Sequence, residues 1–373
     1  MARSIMLIIL SLMLVACGQP GAQRPDPPAI VTPAANAVPM ATPVPAAPER
    51  LVVLSHDSFS LSQEVLDAFQ AETGIVVEFL KAGDTGTALN QAILSRDAPV
   101  ADVFFGVDNT FMGRALAADL FIPFEAPALT QIPDELRLDP ENRLLPVDVG
   151  YVLINYDKAA LAAAGLTPPT RLEELTEPQW RGQLVVQNPA TSSPGLAFLL
   201  ATIAHFGETG TYTWRDFWRD LRANEVYISP DWSDAYYNQF SGGSGQGSFP
   251  LVVSYSTSPA AEVFFSDGAL PEPPTGNLIV PGGVFRQIEF VGILRGTQRE
   301  AAARQFVDFM LQPTFQADIP LQMFVYPANP AAALPEVFEQ FAEVPPQPAG
   351  LSPDQIDAGR EAWITEWTEL VLR

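Results

Sequence analysis

The chain has 373 residues, and its 43 acidic side chains outnumber its 20 basic ones, which leaves a formal net charge of −23. Such a charge, without a run of Lys or Arg, argues against sequence-independent binding of nucleic acid, whose phosphates it would repel. One cysteine excludes a disulfide within the chain, and two histidines exclude the multi-imidazole sites of many zinc and iron enzymes. The hydrophobic fraction of 47% indicates a packed globular protein.

The first 17 residues have the features of an export signal. Arg3 gives a positive start, residues 5–15 form an apolar run, and the small Ala16 precedes Cys17. A membrane-spanning helix needs about 20 apolar residues, so this run is too short to span a bilayer. The order resembles a bacterial lipobox, which predicts a signal peptide at residues 1–16 and a lipid anchor on Cys17. An acylated thiol also explains one cysteine in an exported protein.

Residues 17–50 are predicted to form a tether between that anchor and a folded part. Nine prolines fall within residues 18–50. Such a segment favours an extended polyproline conformation and has too little apolar surface to fold. Fully extended, it would reach up to roughly 100 Å from the membrane, and the lipid would be the only membrane contact.

From residue 51 onward, short apolar strands alternate with amphipathic helices. Ser62 is a suitable helix N-cap and Gly74 a suitable left-handed C-cap, so a helix is predicted between them. This strand and helix order predicts a parallel sheet with helical crossovers. The strands are expected at residues 51–54, 75–80 and 102–106, and a second helix at 87–94.

A second set of the same kind follows. Strands are predicted at residues 151–155, 184–186 and 251–255, with helices from about Lys158 and Pro194. Two such sets indicate an α/β protein of two lobes with a cleft between them. The predicted boundaries are 51–148 and 286–325 for lobe 1 and 149–285 for lobe 2, with the docking of 326–373 left open.

The residues that follow each predicted strand are the candidate site, because ligands in open α/β sheets collect beyond the carboxyl ends of strands. These segments are rich in acids, hydroxyls and aromatic rings. They are residues 55–59, 106–109, 187–195 and 254–259. Two further segments have the same composition: residues 148–151, before and at the start of a predicted strand, and residues 231–236, later in the chain. The chain has no G-x-S-x-G, H-E-x-x-H, S-x-x-K or P-loop motif, so no catalytic residue, metal site or cofactor is predicted.

In their order and spacing, these segments and the tail at 362–367 resemble the thiamine-binding periplasmic proteins, the substrate-binding subunits of bacterial thiamine ABC transporters. The resemblance covers nearly all of residues 51–373. It implies the type II periplasmic-binding fold, in which two lobes close on a ligand in the cleft. It also implies that thiamine or its mono- or diphosphate is delivered to a permease with its ATPase. The expected protein is an extracytoplasmic monomer and not an enzyme.

A thiamine site needs aromatic faces for its cationic thiazolium ring and acceptors for its amine. Trp232 and Tyr255 are the candidate faces, with a core position as the alternative for Trp232. Tyr236 lies one helical turn after Trp232 and is suited either to ligand contact or to packing. Asp57 and Asp108 are candidate partners of the amine or the cation, and helix capping is the alternative for both.

A phosphate ester would need a group of anion donors. Ser193 suits an N-cap and Pro194 the first helical position, so a helix N-terminus that includes Ser192 and Gly195 is predicted to face the cleft. An ordinary helix cap is the alternative. Ser258 begins a second Ser-Pro pair that could add donors.

Two positions depart from the family pattern. His56 stands where relatives carry a tyrosine, and Ala261 where they carry an aromatic residue, so two walls of the ligand cage are changed. His56 and Ser58 remain candidate ligand contacts, although a protonated His56 would repel a thiazolium ring. The adjacent Tyr236 and Tyr237, with His56 and a carboxylate, leave open a ferric-ion or other small-cation binding protein of the same fold.

Overall fold

The structure is a computed structural model, and it describes residues 48–243 and 245–373. The predicted signal peptide, the lipid-modified Cys17 and almost all of the predicted tether lie outside the described residues. The described part is a single eleven-stranded sheet with helices packed around it.

The described strands and helices are as follows. The strands are β1 (Glu49–Ser55), β2 (Ile75–Lys81), β3 (Val103–Asp108), β4 (Phe121–Ile122), β5 (Leu145–Asp157), β6 (Leu184–Gln187), β7 (Tyr227–Ser229), β8 (Leu251–Tyr255), β9 (Thr275–Leu278), β10 (Phe285–Leu294) and β11 (Tyr326–Pro327). The α-helices are α1 (Gln63–Thr73), α2 (Thr85–Leu94), α3 (Met112–Ala117), α4 (Lys158–Ala164), α5 (Ser193–Phe206), α6 (Trp214–Ala223), α7 (Ser258–Phe265), α8 (Glu300–Met310), α9 (Pro313–Gln316), α10 (Ile319–Gln322), α11 (Glu336–Phe341) and α12 (Pro353–Val371). A π-helix spans Asp234–Gln239.

The first part of the sheet agrees with the sequence prediction. β1 pairs in parallel with both β2 and β3. The side chain of Ser62 accepts a hydrogen bond from the Val65 backbone N–H, and Gly74 ends α1 with a φ of 75°. All six residues of β3 are buried, as expected for a central strand with both faces covered.

The middle of the sheet differs from the prediction, because the sheet is mixed and not parallel. β10 pairs antiparallel with β3 on one side and with β5 on the other. The strand order is β2-β1-β3-β10-β5-β8-β6-β7. No local sequence pattern predicts the position of β10, because it pairs with strands that lie more than a hundred residues earlier in the chain.

The second part of the sheet contains the remaining predicted strands. β8 pairs antiparallel with β5, while β6 lies parallel to both β8 and β7. The helix expected from Pro194 begins one residue earlier, at Ser193. Ser192 is therefore the N-cap residue, and its side chain makes no capping hydrogen bond. The predicted N-cap role of Ser193 is wrong, and its hydroxyl bonds elsewhere.

The C-terminal segment docks through its long helix. In α12, Trp367 is fully buried, and its ring meets that of Trp218 edge-on at a centroid distance of 5.4 Å. The segment thus packs against α6.

The lobe boundaries near 148 and 286 stay a prediction. Among the described residues, none of the helices has both the length and the hydropathy needed to cross a membrane.

Candidate functional site

A cavity of about 530 Å³ lies at the ends of the strands. This size falls within the range of about 300–1,000 Å³ that is usual for small-molecule sites. Its walls come from the loop after β1, the start of α2, the π-helix, the loop after β8, and β10. Eight of the predicted site residues line it: His56, Asp57, Ser58, Ser193, Trp232, Tyr236, Tyr255 and Ser258.

One wall of the cavity is aromatic. The rings of Trp232 and Tyr236 stack with centroids 5.2 Å apart and planes at 17°. The indole N–H of Trp232 donates to the hydroxyl of Ser254 at 2.9 Å, which fixes the ring. The Tyr236 hydroxyl donates to Glu262, so this residue both packs in the wall and lines the cavity.

Tyr255 adds an aromatic edge to the same wall. Its ring lies 6.5 Å from that of Trp232, and its hydroxyl donates to Gln287 at 3.2 Å. A Cβ atom on Gly150 would come within 2.9 Å of the Tyr255 ring, so only glycine leaves room for it there. The ring therefore packs directly against the backbone of Gly150.

A second wall of the cavity is acidic. Glu289 on β10 pairs across the sheet with Asp148 on β5, and both side chains are buried. Burial raises the pKa of Glu289 to about 8, and burial together with Glu289 raises the pKa of Asp148 well above its usual range. Two neighbouring buried carboxyl groups do not ionise together at low cost, so protonation of at least one of them is favoured. Burial also raises the pKa of Asp84, which lines the cavity at the start of α2.

His56 lies at the floor of the cavity against this acidic group. Its Nε2 atom is 3.4 Å from an Oε1 atom of Glu289. Burial lowers the pKa of His56, although Asp84 and Asp148 act in the opposite direction. Gly106 makes room for the ring, because its φ is 101° and an added Cβ would lie 2.4 Å from the imidazole. A neutral imidazole at this position does not repel a bound cation.

Three predicted site residues do not line the cavity. Asp108 is fully buried at the end of β3, where its carboxylate accepts a hydrogen bond from the Ser193 hydroxyl. Ser192 is also fully buried. A Cβ atom on Gly195 would meet the carbonyl oxygen of Gln187 at 2.4 Å, so this glycine serves the contact of α5 with β6. These residues support the wall from behind.

The two predicted lobes touch across the cavity. The backbone N–H of Gly86 donates to the carbonyl oxygen of Thr191 at 3.0 Å. The backbone N–H of Trp232 donates to the carboxylate of Asp84 at 3.2 Å. Each of these bonds joins the start of α2 to a loop of predicted lobe 2, so the arrangement is a closed one.

Comparison with known proteins gives the family. The sequence profile of bacterial extracellular solute-binding proteins matches residues 98–343. The chain belongs to this family. It is 30% identical over 331 residues to the thiamine-binding periplasmic protein of Salmonella typhimurium, covering 87% of this chain and 94% of that one. The identity to the Escherichia coli protein of the same name is also 30%, with 87% and 94% covered.

Solved structures agree with this assignment. A periplasmic thiamin binding protein superimposes with a TM-score of 0.75 at 27% identity, covering 87% of this chain and 96% of that one. The solute-binding protein has the type II periplasmic-binding fold, which confirms the prediction from sequence. As a member of this family it acts outside the cytoplasm, with a small-molecule ligand and a transporter as its partners.

Sequence reasoning missed the acidic residues of this solute-binding site. Glu289 and Gln287 lie on β10, a strand that was not predicted, and no local signal marks them. Asp84 could have been found, because an Asp directly before a helix is a common N-cap. Asp148 belongs to the candidate segment 148–151 but does not line the cavity, and no local signal predicts its pairing with Glu289.

The alternative of a ferric site gains no support from the tyrosines. The Tyr236 hydroxyl donates to Glu262, and burial together with this carboxyl raises the pKa of Tyr236 well above its usual range. A phenolate ligand is therefore costly to form here. Within residues 48–243 and 245–373, no three His, Cys, Asp or Glu side chains form a group that could hold a metal ion.

Proposed function

We propose that this protein captures thiamine in the cavity and delivers it to an ABC transporter permease with its ATPase. The observation that carries the proposal is the presence in one cavity of an aromatic wall, Trp232 with Tyr236 and Tyr255, and of the acids Asp84 and Glu289. A flat organic cation matches both walls. The named relatives bind thiamine, which has this chemistry.

Each wall has a role toward one part of the ligand. A cation over an aromatic face gains about 0.5–2 kcal/mol, and more when the site excludes water. The aminopyrimidine has an exocyclic amine that donates and ring nitrogens that accept hydrogen bonds. The carboxyl of Glu289 lines the cavity, and burial raises its pKa, so it can offer both an acceptor and a donor to such an edge, while Asp148 lies outside the cavity lining.

The mechanism we propose is binding with lobe closure, without chemistry, cofactor or bound metal. The contact of Gly86 with Thr191 would form on closure and break when the lobes part at the permease. On this account the protein works as a monomer and is not an enzyme. Thiamine or its mono- or diphosphate is the cargo.

We further propose that the protein is held at the outer face of the cytoplasmic membrane through Cys17. The lipobox-like order of residues 1–17 and the proline-rich segment at 17–50 support this proposal. Labelling cells with a radioactive fatty acid tests it. The wild-type protein should be labelled and sediment with membranes, whereas Cys17→Ser should be unlabelled; a labelled mutant would contradict the proposal.

Calorimetric titration of the purified protein with thiamine tests the function. We expect saturable binding with a submicromolar dissociation constant. Fe(III)-citrate is titrated in parallel as the probe for the alternative. Binding of the iron probe without any response to thiamine would overturn the proposal in favour of a ferric-ion protein.

A further inference from the structure

A pair of phenylalanine rings lines the cavity where it opens to solvent. Phe265 and Phe324 both belong to the lining, and Phe265 is 70% exposed. We infer that Phe265 binds the ligand, and that with Phe324 it forms an aromatic cap over the bound cation. The inference rests on the proposed function and adds to it a residue that determines how long the ligand is held.

The helix α7 brings Phe265 to the cavity. Phe265 is the last residue of α7 and follows Ala261 by one helical turn, so the two side chains lie on the same face. Long side chains in helices lean toward the helix N-terminus, which places the ring of Phe265 over the turn that contains Ala261. Ala261 also lines the cavity and contributes only a methyl group. The ring of Phe265 therefore has room beside Ala261 to cover a flat ligand.

The exposure of Phe265 favours contact with a ligand. An exposed phenylalanine keeps apolar surface in water, and a flat molecule seated against the ring removes part of that surface from water. A cation in this position gains the further attraction of the aromatic face. Contact with Phe265 therefore stabilises the bound state, while a side chain that is 70% exposed contributes little to the core.

Phe324 supplies the second ring from the other predicted lobe. The centroids of the Phe265 and Phe324 rings are 5.1 Å apart, a separation at which aromatic pairs attract each other. Phe265 falls in the range predicted for lobe 2, and Phe324 falls in the range predicted for lobe 1. The contact between the two rings therefore joins the lobes at the opening of the cavity.

The surroundings of Phe324 hold its ring in place. Its φ is 50°, a left-handed value that is strained for a phenylalanine. Its carbonyl oxygen accepts a hydrogen bond from the hydroxyl of Thr257, and its ring stacks on that of Phe338 with centroids 6.0 Å apart. Backbone strain persists where such contacts fix a residue, and it is common at ligand sites. Phe324 is thus the fixed half of the cap, and Phe265 is the exposed half.

A cap of this kind acts on the release of the ligand more than on its capture. The two rings meet only as the lobes close, after the ligand has entered the cavity. Loss of one ring should therefore raise the dissociation rate constant and leave the association rate constant nearly unchanged.

Stopped-flow fluorescence of the purified protein with thiamine tests the inference. Phe265→Ala should weaken binding roughly five- to tenfold, with nearly all of the loss in the dissociation rate constant. Phe265→Tyr keeps the ring and should bind within about twofold of wild type. Leu94→Ala, at a position that is 88% exposed and outside the cavity, is the control and should bind as wild type does. Thermal denaturation without ligand should give the same midpoint for all of these proteins.

A double substitution tests whether the two rings act as one cap. Phe324→Gly removes the second ring at a φ that glycine adopts without strain. Because each single substitution opens the same cap, the protein with both substitutions should bind at most about twofold more weakly than the weaker single variant. Losses that add in full would overturn the inference.

The remaining outcomes are also decisive. Wild-type affinity and dissociation rate in Phe265→Ala would overturn the inference and leave the proposed function standing, since thiamine still binds. A weaker Phe265→Ala protein whose denaturation midpoint without ligand is also lowered would overturn it by showing a structural role. Weak binding by Phe265→Tyr would overturn it by showing that an aromatic ring is not sufficient. If the wild type does not bind thiamine, both the inference and the proposed function are overturned.

Discussion

The hydroxyl of Ser193, in the first turn of α5, donates a hydrogen bond to the buried carboxylate of Asp108 at the end of β3. This bond joins the two predicted lobes directly behind the ligand cavity. Asp108 also accepts the backbone N–H of Thr110 at 2.6 Å. Burial raises the pKa of Asp108, while these two hydrogen bonds lower it.

Ser193→Ala should lower the free energy of unfolding by about 1–3 kcal/mol, because a buried carboxylate loses one of its donors. Chemical denaturation monitored by tryptophan fluorescence measures this. Thr130→Ala, at an exposed position outside the cavity, removes a hydroxyl that donates to the nearby carbonyl oxygen of Pro127 at 3.0 Å and should change stability by less than about 0.5 kcal/mol. Equal effects of the two substitutions would contradict the role assigned to Ser193.

Trp232→Ala should weaken thiamine binding by roughly ten- to a hundredfold, because the cation loses its stacked aromatic face. Trp232→Phe keeps a ring but removes the indole N–H that donates to Ser254. Its affinity for thiamine should therefore lie between that of the wild type and that of Trp232→Ala. Calorimetry gives the three dissociation constants. Tyr227→Ala, an exposed aromatic residue outside the cavity, is the control. A Trp232→Ala protein with wild-type affinity would rule out the aromatic wall as the cation site.

Stability without ligand should fall as the pH rises from 7 to 8. The pKa of Glu289 is raised by burial to about 8 from 4.5, so the folded protein holds a proton that the unfolded chain has released. The stabilisation is fully present below about pH 4.5 and is lost as the pH approaches 8, by roughly 1 kcal/mol between pH 7 and 8. Because the pKa of His56 is lowered, its titration changes the free energy of unfolding mainly below pH 6.5.

Thermal denaturation between pH 6.5 and 8.5 measures this dependence. Glu289→Gln should flatten the curve, because the amide does not titrate, whereas Glu300→Gln on the exposed start of α8 should not alter it. A bound cation favours the ionised carboxyl, so thiamine binding should release a proton near pH 7.5. The same slope in wild type and Glu289→Gln would show that another group is responsible.

Gly86→Ala should weaken thiamine binding about tenfold or more while leaving the protein folded. An added Cβ would lie 2.7 Å from the carbonyl oxygen of Thr191, so it obstructs the contact between the lobes. Small-angle scattering with saturating thiamine should show a more extended molecule than wild type. Gly350→Ala is the matched control, because nothing lies within 4 Å of its added Cβ. If Gly86→Ala binds thiamine and becomes compact as the wild type does, the contact between Gly86 and Thr191 does not contribute to lobe closure.

Local features of the fold could be predicted because their causes are local. The cap at Ser62 and the left-handed Gly74 define the ends of α1 from a few neighbouring residues. The strand β1 and its parallel partners follow from apolar runs separated by helices. The aromatic residues of the site could be predicted as well, since Trp232 and Tyr255 belong to polar and aromatic segments that carry the family resemblance.

The acidic wall could not be predicted, because it depends on pairing between distant parts of the chain. Glu289 meets Asp148 only because β10 inserts between β3 and β5. Likewise, Ser193 donates to Asp108 and does not cap its own helix, since closure brings two lobes together there.

The sequence by itself determined the family, several of the strands and helices and the aromatic residues of the site, because these depend on local residue order and spacing. Only the tertiary structure decided which carboxyl groups face the ligand and which lie behind the wall. The physical reason is that burial and the proximity of other charges, which set the protonation of these groups, arise from contacts distant in the chain.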